Sequence, residues 1–221
     1  MMRVDVIIDG VLRKLGEFEM SKLYFRYGAM NSGKSTNLMQ VAYNYEERGM
    51  KVKIFKPQVD AKGGNQLVSR LGVVRDADFA VSDEDNLYEV TEKWIQSEGK
   101  INCILVDEVQ FLKEKHIDEL LQVAVILKVP VICYGLRTDF LMNGFEGSAR
   151  LLLLAHSIEE LKTICTCGKK ALLNGRKING EFVFEGEQVA IDMVGNVEYQ
   201  SLCADCYFKF RKKMQERNKS K

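Results

Sequence analysis

The sequence predicts an α/β fold, a mainly parallel sheet with helices on both faces, followed by a small metal-stapled unit. Three observations predict it. Strand-like and helix-like segments alternate from Leu23 to Leu136. A phosphate-binding loop joins the first strand to the first helix. After Cys165 the cysteines come in pairs, and helical periodicity is lost until about Cys206.

Residues 1–19 carry a short strand-like run, Val4 to Ile8, that does not match the pattern of the later chain, so they are read as an N-terminal extension outside the main fold. Residues 20–162 form the expected nucleotide-binding core. Leu23 to Tyr27 is apolar and aromatic and reads as a buried strand. A helix occupies 34–48, with Leu38, Val41, Ala42 and Tyr45 at helical spacing, and ends at Gly49. Val52 to Phe55 is a strand stopped by Pro57. Residues 58–80 hold Gly63-Gly64 and no long periodic run, and read as a mobile loop. Residues 85–98 are a helix, Ile101 to Val106 a strand buried on both faces, 114–128 an amphipathic helix and Val129 to Tyr134 a strand. One more helix and the start of a strand fall within 145–163. Residues 163–208 form the small second unit. The Lys/Arg-rich tail, 209–221, reads as a solvated, frayed end.

Composition narrows the function classes. The chain has 221 residues, enough for one sizeable domain with a small appendage, and 46% of them are apolar. A net charge of +1 implies no general attraction to nucleic acid or to an anionic membrane. Leu151 to Ala155 is far too short an apolar run to span a bilayer. Val6 to Ile8, flanked by Asp5 and Asp9, makes no signal-peptide core, so a cytoplasmic protein is expected. There, six cysteines suit metal ligands or core positions better than disulfides.

Residues Gly28-Ala29-Met30-Asn31-Ser32-Gly33-Lys34-Ser35 fit G-x-x-x-x-G-K-[ST]. The two glycines let the backbone curl so that successive N–H groups point at phosphate oxygens, and the helix start adds its positive dipole end. Lys34 can reach the outer phosphates and the Ser35 hydroxyl can ligate Mg²⁺. Ile104-Leu-Val-Asp107-Glu108 is an apolar strand ending in two acids. Behind a P-loop, Asp107 suits Mg²⁺, and Glu108 suits a general base that accepts a proton from an attacking hydroxyl. In parallel sheets ligands bind at the carboxyl ends of strands, where the P-loop, Asp107 and Gly135 all fall.

The second constellation is Cys165-x-Cys167 with Cys203-x-x-Cys206. Four thiolates in two close pairs suit a structural, tetrahedral Zn²⁺. Gly168 fits the turn such a knuckle needs. About 35 residues lie between the pairs, so the metal would staple the base of a long loop, a candidate substrate lid. Cys103 and Cys133 lie inside strands and read as core; His116 and His156 have no ligand spacing to a partner and read as structural.

From Lys22 to about Phe208 the chain resembles the type II thymidine kinases, the family of bacterial and cytosolic animal enzymes. The residues that carry the resemblance are Tyr27 to Ser35, Val106-Asp-Glu-Val-Gln-Phe111, Tyr134-Gly-Leu-Arg-Thr-Asp-Phe140, Phe145-Glu-Gly-Ser148, Leu161 to Gly168, Glu185-Gly-Glu-Gln-Val189 and Tyr199. The resemblance implies a RecA-like core, a zinc-stapled lasso loop, and ATP-dependent phosphorylation of thymidine at its 5′-hydroxyl with Mg²⁺. A homotetramer and dTTP as feedback inhibitor are also implied, with no nucleic-acid or membrane partner. By the same resemblance Glu108 is the catalytic base. Gly28 through Thr36 (Gly28, Ala29, Met30, Asn31, Ser32, Gly33, Lys34, Ser35, Thr36), with Asp107 and Arg176, form the ATP site. Met30, Asp60, Gln110, Phe111, Leu136, Phe140, Phe145 and Tyr199 form the nucleoside site. An apolar, aromatic slot suits a flat base.

Two departures stand out. The family's D-x-R element keeps Asp60 but has Lys62 for the Arg. The lasso, usually Ile-Gly-Gly and then Tyr after a few residues, is here Ile191-Asp-Met-Val-Gly195-Asn-Val-Glu-Tyr199, longer and one glycine short. A lost glycine changes how closely backbone can approach a base, so base affinity is the property at stake. The alternative reading is a nucleic-acid-dependent P-loop ATPase with a zinc ribbon, against which the near-neutral charge argues. A third, a nucleotide-binding regulator without catalysis, conflicts with the complete set Lys34, Ser35, Asp107 and Glu108.

Overall fold

The structure, a computed structural model, describes residues 21–58, 66–68, 72–188 and 196–219. In chain order the core holds β1 (Leu23–Tyr27), α1 (Lys34–Glu46), β2 (Val52–Pro57), β3 (Gln66–Val68), β4 (Val74–Asp76), β5 (Phe79–Val81), α2 (Leu87–Glu98), β6 (Cys103–Val106), α3 (Glu114–Val125), β7 (Val131–Gly135), α4 (Glu146–Leu154) and β8 (Ser157–Glu160). Then come β9 (Thr163–Ile164), β10 (Lys170–Ala171), β11 (Leu173–Ile178), β12 (Glu181–Val183), β13 (Val197–Leu202) and α5 (Ala204–Lys219).

The expected parallel α/β sheet is present. Its order is β5-β2-β6-β7-β1-β8, every pair parallel. All residues of β6 and β7 are buried, which is why these strands read as unbroken apolar runs. The period of two sorts their side chains. Ile104, Val106, Val131 and Cys133 join the core beneath α2, α3 and α4, with Leu120, Val123 and Leu151. Cys103, Leu105, Ile132 and Tyr134 join the core beneath α1, with Leu38, Met39 and Ala42. Each such fully buried large side chain contributes roughly 1.5–3 kcal/mol. Arg26 pins the start of α1 to the sheet: its Nη1 donates to Asn37 Oδ1 at 3.2 Å and to Tyr134 Oη at 2.8 Å.

Helix ends obey local signals. Asn86 Oδ1 caps α2 by accepting the Glu89 N–H at 3.1 Å, and Gly99, with φ 83°, ends it. α3 stops at Val125, short of the expected 128, because the chain turns left-handed at Lys128, φ 58°.

Two expectations need correction. Residues 58–80 are not one loop: β3 and β4 form an antiparallel hairpin, and β5 joins the edge of the main sheet. Leu67 is buried beneath the hairpin, and Arg75 grips Glu46 of α1 with two bonds of 2.6 and 2.8 Å. Phe79 packs edge-on to Phe55 and Trp94. The tail is not frayed at 209: α5 runs on to Lys219. Phe210 stacks on Phe182 at 4.4 Å, and Arg217 reaches Glu181 at 2.9 Å. No helix among the described residues is long and apolar enough to cross a membrane. Residues 1–19, Asp60 and Lys62, and the lasso positions 191–195 lie outside the described residues.

Candidate active site

Because β1, β6 and β7 run parallel, the segments after them meet at one edge of the sheet. After β1 the chain turns through Gly28 to Ser35. A Cβ on Gly28 would lie 2.3 Å from Ser32 Oγ and 2.5 Å from the Leu161 carbonyl, so only glycine fits this close passage. Asn31 (φ 66°) and Gly33 (φ 78°) take left-handed conformations, which curl the loop into a concave nest of N–H groups ahead of α1. Lys34 is buried and lies across the loop, its Nζ donating to the carbonyls of Gly28 at 3.3 Å and Ala29 at 3.1 Å.

After β6 stand the two acids. Asp107 Oδ2 accepts the Ser35 hydroxyl at 3.2 Å, while its Oδ1 is buried with no hydrogen-bond partner among the described residues. Burial, and then the Glu108 charge beside it, push the Asp107 carboxyl up to about 7. A hydroxyl and a carboxylate with an unmet buried oxygen are the hard donor set that Mg²⁺ prefers, so these residues fit the ion that the motif implies.

Glu108 sits in the left-handed region, φ 48° and ψ 39°, a conformation that costs a non-glycine residue roughly 1–2 kcal/mol. Surrounding contacts hold it there. Gln110 Nε2 donates to Glu108 Oε2 at 2.5 Å, and Gln110 Oε1 accepts the Leu136 N–H at 3.0 Å. That second bond fixes which way the amide points. Gly135 makes room for it, since a Cβ there would lie 2.6 Å from Gln110 Oε1.

Residues 30–36, Met30 included, Gln40, Glu108, Leu136 and Tyr199 line one cleft of about 1140 Å³. Gln110, Phe111, Phe140 and Phe145, also expected at the nucleoside, do not line this cleft. Gln110 is buried beneath Glu108, so its amide serves that carboxylate. Phe111 and Phe145 pack edge-on at 5.7 Å, and Phe140 is buried.

Arg176 is where the structure departs most from the sequence reading. Expected beside the phosphates, it is fully buried, does not line the cleft, and has its guanidinium 3.6 Å from the centre of the Phe140 ring. Its Nη1 and Nη2 donate to the carbonyls of Glu187 and Glu185 at 2.7 and 3.0 Å. The strand pair β11–β13 points it at the loop after β12, so its bonds organise that loop's backbone.

The four paired cysteines meet. The sulfurs of Cys165, Cys167, Cys203 and Cys206 lie within 4.8 Å of one another and could hold a metal ion. Bonds of ~2.3 Å to a tetrahedral zinc would place sulfurs ~3.8 Å apart, which this cluster fits. The knuckle turns at Gly168, φ 84°. Burial opposes the Cys165 thiolate, yet the N–H groups of Cys167 and Cys203 bring it down to about 6. Hydrogen bonding with Cys167 and Cys203 pushes Cys206 up to about 12.

Cys103, Cys133, His116 and His156 have structural surroundings, as expected. Burial pushes the Cys103 thiol up to about 12, and Cys133 higher. His156 Nδ1 accepts the Leu23 N–H at 3.1 Å and His116 Nδ1 accepts the Lys113 N–H at 3.3 Å, both structural bonds. Sequence reasoning missed Asn174 and Ser201, whose side chains bond the backbone of Met30. The available signal was Ser201's place two residues ahead of Cys203, on a strand leading into the cysteine cluster.

Residues 21–207 match the profile of the thymidine kinase family. The thymidine kinase of Francisella tularensis subsp. holarctica (strain LVS) is 44% identical over 174 residues, 78% of this chain and 87% of that protein. That of Legionella pneumophila (strain Paris) is 45% identical over 186 residues, 83% of this chain and 88% of that protein. That of Haemophilus influenzae (strain ATCC 51907) is 46% identical over 186 residues, 83% of this chain and 94% of that protein.

Proposed function

The chain belongs to the thymidine kinase family, and on that basis we propose that it transfers the γ-phosphoryl group of ATP to the 5′-hydroxyl of thymidine, giving dTMP and ADP. The reaction belongs to pyrimidine deoxynucleoside salvage. The observation that carries the proposal is Glu108, held by Gln110 on the wall of the same cleft that the P-loop lines.

Glu108 is the base. It accepts the 5′-hydroxyl proton as the nucleoside oxygen bonds to the γ-phosphorus and the bond to the β-phosphate oxygen breaks. The N–H groups of residues 33–35 at the start of α1 and the Lys34 ammonium hold the triphosphate and balance its charge. Ser35 and Asp107 would hold Mg²⁺, which when bound supplies further charge neutralisation at the outer phosphates. Cys165, Cys167, Cys203 and Cys206 would hold a structural Zn²⁺. Met30, Leu136 and Tyr199 face the nucleoside, with Phe111, Phe140 and Phe145 shaping the apolar wall behind them and Asp60 contributing from the segment after β2. Residues 163–208 act as a lid unit that excludes water, the competing acceptor. Feedback inhibition by dTTP, a homotetramer and a cytoplasmic setting belong to the same reading.

The test is a coupled kinase assay across the deoxynucleosides with ATP and Mg²⁺, with products separated by chromatography. Thymidine-dependent release of ADP with equimolar dTMP is expected. ADP release that responds to single-stranded DNA and not to thymidine would overturn the proposal.

A further inference from the structure

The crest of the phosphate loop is held from outside the parallel sheet. Asn174 in β11 and Ser201 in β13 stand directly opposite one another in an antiparallel pair. Asn174 Oδ1 accepts the Met30 N–H at 2.8 Å, and its Nδ2 donates to the Thr138 carbonyl at 3.1 Å. Ser201 Oγ donates to the Met30 carbonyl. Thr163 Oγ1, from β9, donates to the next carbonyl, that of Asn31, at 3.4 Å.

Both backbone polar groups of one P-loop residue are thus taken by side chains of a single strand pair. Asn174 and Ser201 are only 3% and 5% exposed, so neither has water as an alternative partner. The grip falls beside Asn31, whose left-handed φ of 66° is unfavourable for a non-glycine residue and helps to curl the loop ahead of α1. A strained conformation persists where its surroundings over-determine it, and bonds at Met30 and Asn31 do so here. The grip also connects two sites: Ser201 and Thr163 each lie two residues ahead of a cluster cysteine, Cys203 and Cys165.

We propose that Asn174 and Ser201, supported by Thr163, are positioning residues that hold the P-loop crest in its phosphate-accepting curvature. The β11–β13 sheet then sets part of the affinity for the triphosphate. Neither residue touches the reacting atoms. The inference rests on the reading of residues 28–35 as the ATP site.

The experiment uses the full chain and titrates ADP with Mg²⁺ by calorimetry, alongside steady-state kinetics and metal analysis, for Asn174→Ala, Ser201→Ala and Ser201→Thr. Either alanine variant should raise the ADP Kd and the ATP KM about three- to tenfold, the range one hydrogen bond spans. The thymidine KM should move less than twofold, and the metal content should stay at the parental level. Ser201→Thr keeps the hydroxyl and should bind ADP as the parental protein does. Unchanged ADP affinity in both alanine variants overturns the inference. Should the alanine variants lose their metal, Ser201→Thr decides: parental affinity supports the grip, and a loss equal to that of Ser201→Ala overturns it. A parental protein that binds no ADP would instead overturn the assignment of the ATP site.

Discussion

Replacing Gln110 with Met tests the hold on Glu108 while leaving the P-loop untouched. Gln110 is 2% exposed and makes two bonds, one to the Glu108 carboxylate at 2.5 Å and one from the Leu136 N–H at 3.0 Å. Met has a similar volume and makes neither. The Leu136 N–H is then buried without a partner, which costs about 1–3 kcal/mol of stability. At about 2–4 °C per kcal/mol for a chain of this size, the melting temperature should fall by about 2–12 °C. Glu108 loses a bond of the charged class, worth about 1.5–3 kcal/mol, which had held its side chain in a strained backbone setting. If that full value is lost from the transition state, kcat falls about 10- to 150-fold. The ATP KM should stay put, because the P-loop is untouched. A double-mutant cycle isolates the pair: in a Glu108→Gln background, adding Gln110→Met should slow turnover very little further, since the two act as one unit. A melting temperature that falls while kcat holds would exclude this role for Gln110, as would fully multiplicative losses in the cycle.

The same geometry makes further predictions. Lys34→Ala removes the cation that lies across the P-loop and should abolish most turnover while the fold persists, checked by kcat and circular dichroism. Arg176→Met should raise the thymidine KM several-fold, by releasing the carbonyls of Glu185 and Glu187, and leave the ATP KM nearly unchanged; a rise confined to the ATP KM would return Arg176 to the phosphates. Protein purified without chelator should carry about one zinc per chain, lost in Cys203→Ser, as read by elemental analysis.

The features legible in the sequence were local. The P-loop glycines, the acids after β6 and the cysteine pairs each sit within a few residues of their partners in function, so spacing alone displayed them. The strands of the main sheet were legible because β6 and β7 are buried on both faces and therefore apolar throughout. Features that depend on distant contacts were not displayed by spacing. β3, β4 and β5 are three residues each, too short to show a period of two, and exist because Leu67, Arg75 and Phe79 find partners elsewhere. α5 continues through a polar tail because Phe210 meets Phe182. Arg176 looks like a phosphate ligand until the ring of Phe140 is seen beneath it. Asn174 and Ser201 are ordinary strand residues in sequence, and only the fold brings them to Met30.

The proposed chemistry turns on Glu108 accepting the proton as the phosphoryl group passes from ATP to thymidine. The decisive measurement is dTMP formation by Glu108→Gln at saturating ATP and thymidine across pH, with binding of each substrate measured on the same protein. The expected kcat is lower by on the order of a hundredfold or more, with both substrates still bound. A Glu108→Gln protein that turns over at near the parental rate at every pH would remove Glu108 as the base.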